Sequence, residues 1–194
     1  MVTGFVLAGG KSSRMGREKA LLPVGRQPLI EIVIQRLRPH VRQLFIVANT
    51  DNAHQLAQLP VNAILVDLKS DCGPLMGVYT GLMRTETQLN LFIPCDMPWV
   101  QGQLIDRLAR ACRDGIDFVA SLHPVEGIQP FPLVCHVNGC RTIGALLNQG
   151  DRSLQTLFRQ PCTRLVRVEE PDLWRSFTNV NTLADYACMR RAPN

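Results

Sequence analysis

Gly4-Phe5-Val6-Leu7-Ala8-Gly9-Gly10-Lys11-Ser12-Ser13-Arg14-Met15-Gly16-Arg17-Glu18-Lys19 passes within a few residues from an apolar run into a glycine-rich, basic loop. Residues 4–8 have the unbroken apolar character of a parallel strand buried on both faces. Downstream, Pro28-Leu29-Ile30-Glu31-Ile32-Val33-Ile34-Gln35-Arg36-Leu37 carries apolar side chains at helical spacing behind a proline, which is a good first helical residue. The opening therefore reads as strand, loop, helix. The alternation recurs, with strands expected at 44–48, 63–66 and 89–93 and helices at 52–58, 75–84 and 101–113. Such alternation implies an α/β fold: a mainly parallel sheet covered on both faces, a three-layer α/β/α sandwich. Past residue 115 the pattern predicts strands at 118–122, 132–137 and 165–168, and helices at 141–147, 153–158 and 183–191.

The remaining composition sets bounds. A chain of 194 residues, 46% hydrophobic and 19% charged, suits one domain with its own core, and no internal period or low-complexity tract marks a second unit. The N-terminus lacks a basic start and meets glycines too soon for a signal sequence or membrane span, so a soluble, cytoplasmic protein is expected, with no membrane partner. Seven scattered cysteines without a Cys-x-x-Cys pair fit reduced, mostly buried thiols better than a zinc site or disulfide framework. The net charge of +5 comes from dispersed Lys and Arg without an aromatic-interleaved stripe, which gives no support to nucleic-acid binding and suits a small anionic substrate equally well. His40, His54, His123 and His136 fall at no ligand spacing.

In open α/β sheets, ligands bind beyond the carboxyl ends of the strands, so the loops after the first four strands are the place to seek chemistry. In the first loop, glycines let the backbone approach a ligand and present its N–H groups, while Lys11, Arg14, Arg17 and Lys19 concentrate positive charge, as a triphosphate requires. The spacing is neither a dinucleotide fingerprint nor a Walker A loop, and an ordinary strand-to-helix turn with solvated charges remains the plain alternative. The fourth strand runs into Pro94-Cys95-Asp96-Met97-Pro98, which holds a carboxylate between two prolines, where it can serve as a hard ligand for Mg²⁺ or as a cap for the helix near residue 101. After the third strand, Asp67 precedes Gly73-Pro74-Leu75-Met76-Gly77, a turn that opens a helix.

Together, Leu7-Ala8-Gly9-Gly10-Lys11-Ser12-Ser13-Arg14-Met15-Gly16, Glu18-Lys19-Ala20-Leu21-Leu22 and Gly25-Arg26-Gln27-Pro28-Leu29-Ile30 resemble the signature of nucleotidyltransferases, and within them of molybdenum cofactor guanylyltransferases. Asn49, Asp67, the Gly73–Gly77 turn, the Pro94–Pro98 segment and Asn179-Val180-Asn181-Thr182 extend the resemblance along most of the chain. It departs at Glu18, where the family carries aspartate, and at Pro130-Phe131-Pro132-Leu133-Val134, where the family reads Pro-Leu-Phe-Ala-Leu.

The resemblance implies a Rossmann-like nucleotidyltransferase fold and a Mg²⁺-dependent transfer of GMP from GTP to the terminal phosphate of molybdenum-carrying molybdopterin. It also implies proteins that supply or receive the cofactor. Carried over by position, Leu7, Ala8, Gly9, Lys19, Asn49, Asp67 and Asp96 match nucleotide-binding positions, with Asp96 also the metal ligand. The chemistry adds Arg14 and Lys19 on the leaving phosphates and the backbone N–H of Gly9 and Gly10 on the nucleotide. Residues 1–100 are then the nucleotide and metal half, and residues 101–194 the acceptor half. In that second half, Pro130, Asn179 and Asn181 face the pterin, the asparagines having helix capping as their alternative role. The rivals are a cytidylyltransferase acting on molybdopterin, a uridylyl- or thymidylyltransferase acting on a sugar phosphate, and a GTP-binding regulator without catalysis.

Overall fold

The computed structural model describes residues 1–9, 19–69, 72–182 and 185. The elements follow in chain order as β1 (Val2–Leu7), β2 (Pro23–Val24), β3 (Gln27–Pro28), α1 (Leu29–Leu37), β4 (Gln43–Ala48), β5 (Ala63–Val66), α2 (Pro74–Leu82), β6 (Leu89–Pro94), α3 (Gly102–Ala111), β7 (Phe118–His123), β8 (Gly127–His136), α4 (Gly139–Asn148), α5 (Leu154–Leu157), β9 (Thr163–Arg167) and α6 (Pro171–Trp174). A seven-stranded sheet has the order β5-β4-β1-β6-β8-β7-β9, and β2 and β3 form a separate small ribbon. The pairings β1–β4, β1–β6, β4–β5 and β7–β9 are parallel, whereas β8 runs antiparallel to both neighbours.

The chain lays β1, β4 and β5 outward in one direction and then returns to place β6 on the other flank of β1. With right-handed crossovers, that reversal sends the crossover helices α1 and α2 to opposite faces, and the carboxyl ends of β1 and β6 flank the point of reversal. On one face, α2 packs against β1, β4 and β5 and touches α4. On the other, α1 covers β1, and α3 covers β6 to β9 and meets the 3₁₀ turn Arg38–His40 that follows α1. Leu29, Ile30, Val33, Ile34 and Leu37 form the buried stripe of α1, as its spacing predicts.

The centre of the core is a ladder of aromatic rings. Phe45, Phe5 and Phe92 occupy matched register positions on β4, β1 and β6. Their rings stack with centroids 5.6 Å apart for Phe5–Phe45 and 4.8 Å for Phe5–Phe92, close to the spacing of the strands themselves. α2 lies directly on this ladder and has glycine at the contact. A Cβ on Gly81 would stand 2.6 Å from a Phe92 ring carbon and 3.0 Å from one of Phe5.

Several boundaries differ from the sequence reading. The helix expected at 52–58 is a single 3₁₀ turn, Ala53–Leu56, of which only Leu56 is buried, so it has too narrow an apolar stripe to hold more turns. β8 begins several residues earlier than expected and includes Pro130, and the ribbon β2–β3 and α6 carry no strong sequence pattern. The helix expected at 183–191 lies, apart from Asp185, outside the described residues. Among the described residues, no helix is long and apolar enough to cross a membrane.

Gly81→Ala sets two effects against each other. Helix propensity favours alanine by about 1 kcal/mol, whereas forcing a methyl into a closed core costs about 1–3 kcal/mol. With two aromatic rings inside 3.1 Å of the new atom, overpacking dominates, and urea denaturation should show a net loss of about 1–2 kcal/mol. A midpoint at or above that of the unaltered protein would show that the ladder yields.

Candidate active site

The strand ends are joined by bonds that continue the sheet past its last paired residues. Cys95 N donates to Leu7 O at 3.0 Å, Ala8 N to Val47 O at 2.8 Å and Asp67 N to Ala48 O at 2.9 Å. Leu7, Ala8 and Gly9, together with Asn49, Asp67 and Asp96, thus emerge along one edge, with Asp67 and Asp96 on opposite sides of β1. Ala8 is buried, so its side chain contributes almost nothing to the surface of this edge.

On the β5 side, Gly9 passes so close to Asp67 that a Cβ there would lie 2.8 Å from Asp67 Oδ2. Glycine is required for the first loop to cross this carboxylate. Asp67 is fixed from α2: Thr80 Oγ1 donates to its Oδ1 at 3.2 Å and accepts from Leu68 N at 3.2 Å. Burial pushes the Asp67 carboxyl above its ordinary pKa, and the Thr80 hydroxyl opposes that shift. Asn49 reaches Gly9 O with its amide at 3.5 Å, and its Oδ1 accepts Asn52 N at 2.9 Å. Asn52, almost fully buried, donates to Ala8 O at 2.6 Å. Gly73 has φ near +73°, a conformation natural to glycine, and places Pro74 at the first turn of α2.

On the β6 side, Lys19 opens a 3₁₀ turn whose Ala20 is fully buried. Its Nζ donates to Asp96 Oδ2 at 2.7 Å and to Asn181 Oδ1 at 2.8 Å. The segment Asn179-Val180-Asn181-Thr182 is tied to the site by Val180 N, which donates to the Asp96 carbonyl at 2.9 Å. Its far end is clasped by Asp185, whose Oδ2 accepts Asn181 N at 2.9 Å and Thr182 N at 2.8 Å, while Asp185 N donates to Thr182 Oγ1. This is a reciprocal capping arrangement, and the same backbone N–H groups hold the Asp185 carboxyl below its ordinary pKa.

The structure therefore brings Lys19, Asp96 and Asn181 together, and separately Gly9, Asn49 and Asp67. Asn181, from the expected acceptor half, stands on Lys19, from the expected nucleotide half. Asn179 is exposed two residues away, and Pro130 is half-buried in β8. Gly10 and Arg14 lie outside the described residues. Thr80, Asn52 and Asp185 were missed from sequence. Each acts on a site residue through a long-range or turn contact, and only the Thr182-x-x-Asp185 spacing carried a readable signal.

Among the described residues there is no cluster of three or more His, Cys, Asp or Glu side chains able to hold a metal ion by themselves. Asp96 nevertheless has one buried oxygen, Oδ1, with no hydrogen-bond partner among the described residues. A single carboxylate with an unsatisfied oxygen fits Mg²⁺, which keeps several waters and takes its remaining ligands from substrate phosphates.

The chain is similar in sequence and in fold to known proteins. Residues 4–167 match the family model described as the MobA-like NTP transferase domain. A molybdenum cofactor guanylyltransferase of Vibrio parahaemolyticus is 33% identical over 184 residues, covering 94% of this chain and 91% of the relative. A probable molybdenum cofactor guanylyltransferase of Geobacillus is 31% identical over 186 residues, covering 93% and 94%. In fold, the chain is similar to molybdopterin-guanine dinucleotide biosynthesis protein A of Archaeoglobus fulgidus, with a TM-score of 0.81 at 22% identity over 98% and 97% of the two chains.

Thr80→Val keeps the shape of the side chain and removes its hydroxyl, leaving Leu68 N and Asp67 Oδ1 without this partner. The loss should be on the order of 1–2 kcal/mol in denaturant at neutral pH. The Asp67 carboxyl, already raised, should titrate higher still by NMR, because the group that lowers it is gone. A native pKa above the unfolded value means that stability falls as pH rises between the two, so the variant's deficit should be smaller below the Asp67 titration than above it. An unchanged Asp67 titration would remove Thr80 from the site.

Proposed function

The chain belongs to the MobA-like NTP transferase family and is a nucleotidyltransferase, and we propose that it moves GMP from GTP to the terminal phosphate of molybdenum-carrying molybdopterin, giving the guanine dinucleotide cofactor and pyrophosphate. The observation that carries this reading is the convergence of Lys19, Asp96 and Asn181 at the reversal point of the sheet. The names of the curated relatives support the choice of guanine and of molybdopterin.

The attacking group is an oxygen of a phosphate monoester, already ionised at neutral pH, so the enzyme needs no general base. The new bond forms to the α-phosphorus of GTP while the bond from that phosphorus to the bridging oxygen breaks, and pyrophosphate leaves with its electron pair. Rate then depends on alignment and on stabilising the charge gathered by the leaving phosphates. Lys19 supplies a cation there, joined on this reading by Arg14, and the backbone N–H groups of Gly9 and Gly10 fix the nucleotide. Asp96 would hold Mg²⁺, which would contribute Lewis-acid polarisation of the phosphoryl oxygens when bound.

Base choice follows from donor and acceptor pattern. Guanine presents N1–H and N2–H₂ donors, and Asp67 Oδ2, beside the Gly9 backbone, is an acceptor on the side of β1 away from Asp96. Cytosine offers the opposite pattern. Asn49 steadies the first loop between these ends, and Leu7 and Ala8 bring the chain to it. Asn179, Asn181 and Pro130 face the pterin on this reading, with Asn181 at the junction where acceptor phosphate and nucleotide meet. A cytoplasmic setting is part of the proposal, and the buried free thiols of Cys72, Cys112 and Cys135 suit it.

The deciding assay is pyrophosphate release with purified molybdopterin and each of the four NTPs in turn. GTP should give the highest kcat/KM. A value for CTP equal to or above that for GTP would move the enzyme to the cytidylyl branch, and release from no NTP, with GTP still bound, would make it a regulator.

Asp96→Asn should keep the fold and lower kcat by about a hundredfold or more, since a neutral amide is a poor ligand for a hard cation and such a factor is only about 2.7 kcal/mol. Activity within about threefold of the unaltered enzyme at saturating Mg²⁺ would sink the metal assignment.

A further inference from the structure

Lys19 and Asp96 have separate duties during transfer, yet here they are bonded to each other. The ammonium sits between two oxygens, 2.7 Å from Asp96 Oδ2 and 2.8 Å from Asn181 Oδ1. Both charged side chains are largely withdrawn from water, with exposures of 17% for Lys19 and 15% for Asp96. A bound divalent ion on the remaining Asp96 oxygen would stand a few ångströms from this ammonium, with little water to screen the repulsion. So long as Lys19 stays in place, Asp96 is a poor metal ligand.

We propose that Lys19 is the internal counter-cation of Asp96 in the nucleotide-free enzyme and leaves it for the triphosphate when nucleotide enters, so that Asp96 accepts a divalent metal only together with nucleotide. This rests on the reading of Lys19 as a phosphate contact and Asp96 as a metal ligand. The seat is built to hold the side chain without trapping it. The Lys19 backbone is anchored by buried Ala20 and by Leu22 N, which donates to Lys19 O. The Asn181 seat is fixed by Val180 on Asp96 O and by the Asp185 clasp. Between these fixed points runs a flexible four-carbon stem carrying a compact charge. A triphosphate offers far more negative charge than one carboxylate and one amide, which draws the ammonium across. Nucleotide and metal then raise each other's affinity by the same factor, as linkage requires. Asn181 acts here as a positioning residue for Lys19.

Chelation by the triphosphate also couples metal to nucleotide, so the test is made without nucleotide. Mn²⁺ binding is followed by the loss of its free EPR signal in the unaltered protein, Lys19→Met, Lys19→Gln, Lys19→Arg and the double variant Lys19→Met with Asp96→Asn. Circular dichroism and melting temperature check that each is folded. Removing the charge should tighten Mn²⁺ binding by about tenfold or more in Lys19→Met. Lys19→Gln, which keeps a donor for Asp96 without the charge, should gain similarly and serves if the methionine variant does not fold. Lys19→Arg should bind as weakly as the unaltered protein, and the double variant should lose the gain. Neutral variants that bind Mn²⁺ no more tightly than the unaltered protein overturn the proposal, as does a gain that survives Asp96→Asn. Pyrophosphate release by the unaltered enzyme separates the two readings. Transfer of GMP without a gain in Mn²⁺ affinity defeats the counter-cation alone, whereas a gain without release from any NTP defeats the function.

Discussion

The parallel ladder between β1 and β6 is the constraint on which the site depends. It runs in register from Val2 opposite Leu89 to Leu7 opposite Pro94, then continues one bond further, from Cys95 N to Leu7 O. Gly9 and Asp96 leave the sheet side by side because of that last bond. Both strands are covered on both faces, with Phe5 and Phe92 stacked at matched positions, so a shift of register would break the aromatic ladder and misplace the carboxylate together. The rigidity of Asp96 therefore originates in the core, and the prolines on either side of it only finish the turn.

The two carboxylates at this edge illustrate how environment divides roles between like groups. Asp67 is steadied by a hydroxyl, and its burial raises its pKa. Asp96 is paired with an ammonium through one oxygen, and its other oxygen has no hydrogen-bond partner among the described residues. The same side chain meets different surroundings because one lies under α2 and the other faces the turn that carries Lys19.

Much of the fold was legible because its signals are local. The apolar runs of β1, β4, β5 and β6 and the stripe of α1 each lie within a dozen residues, and their alternation carries the parallel sheet with it. The antiparallel β8 was not legible as such, since pairing direction depends on partners distant in sequence. The first loop, Asp67 and Asp96 stood out by residue type at strand ends. The contacts that organise them did not, because Lys19 and Asn181 are separated by 162 positions and Asp67 and Thr80 by 13 across a turn. Residue type can mark a ligand, but the partner that aims it is a property of packing.

The most instructive difference concerns the division of the chain into a nucleotide half and an acceptor half. Val180 N reaches back to the Asp96 carbonyl, and Asn181 to Lys19, so the segment Asn179–Thr182 is held at the carboxyl end of β6. An acceptor approaching along Asn179 and Asn181, as proposed, would arrive at the same ammonium that is proposed to face the nucleotide. Transfer between two phosphates needs such a shared wall, because both substrates are anionic and must be brought within bonding distance against their own repulsion. A cation seated between the segments offsets that repulsion from both sides at once. The late asparagines therefore stand beside Lys19 and Asp96 although the chain separates them widely, and the acceptor role proposed for them would bring the second substrate to this junction.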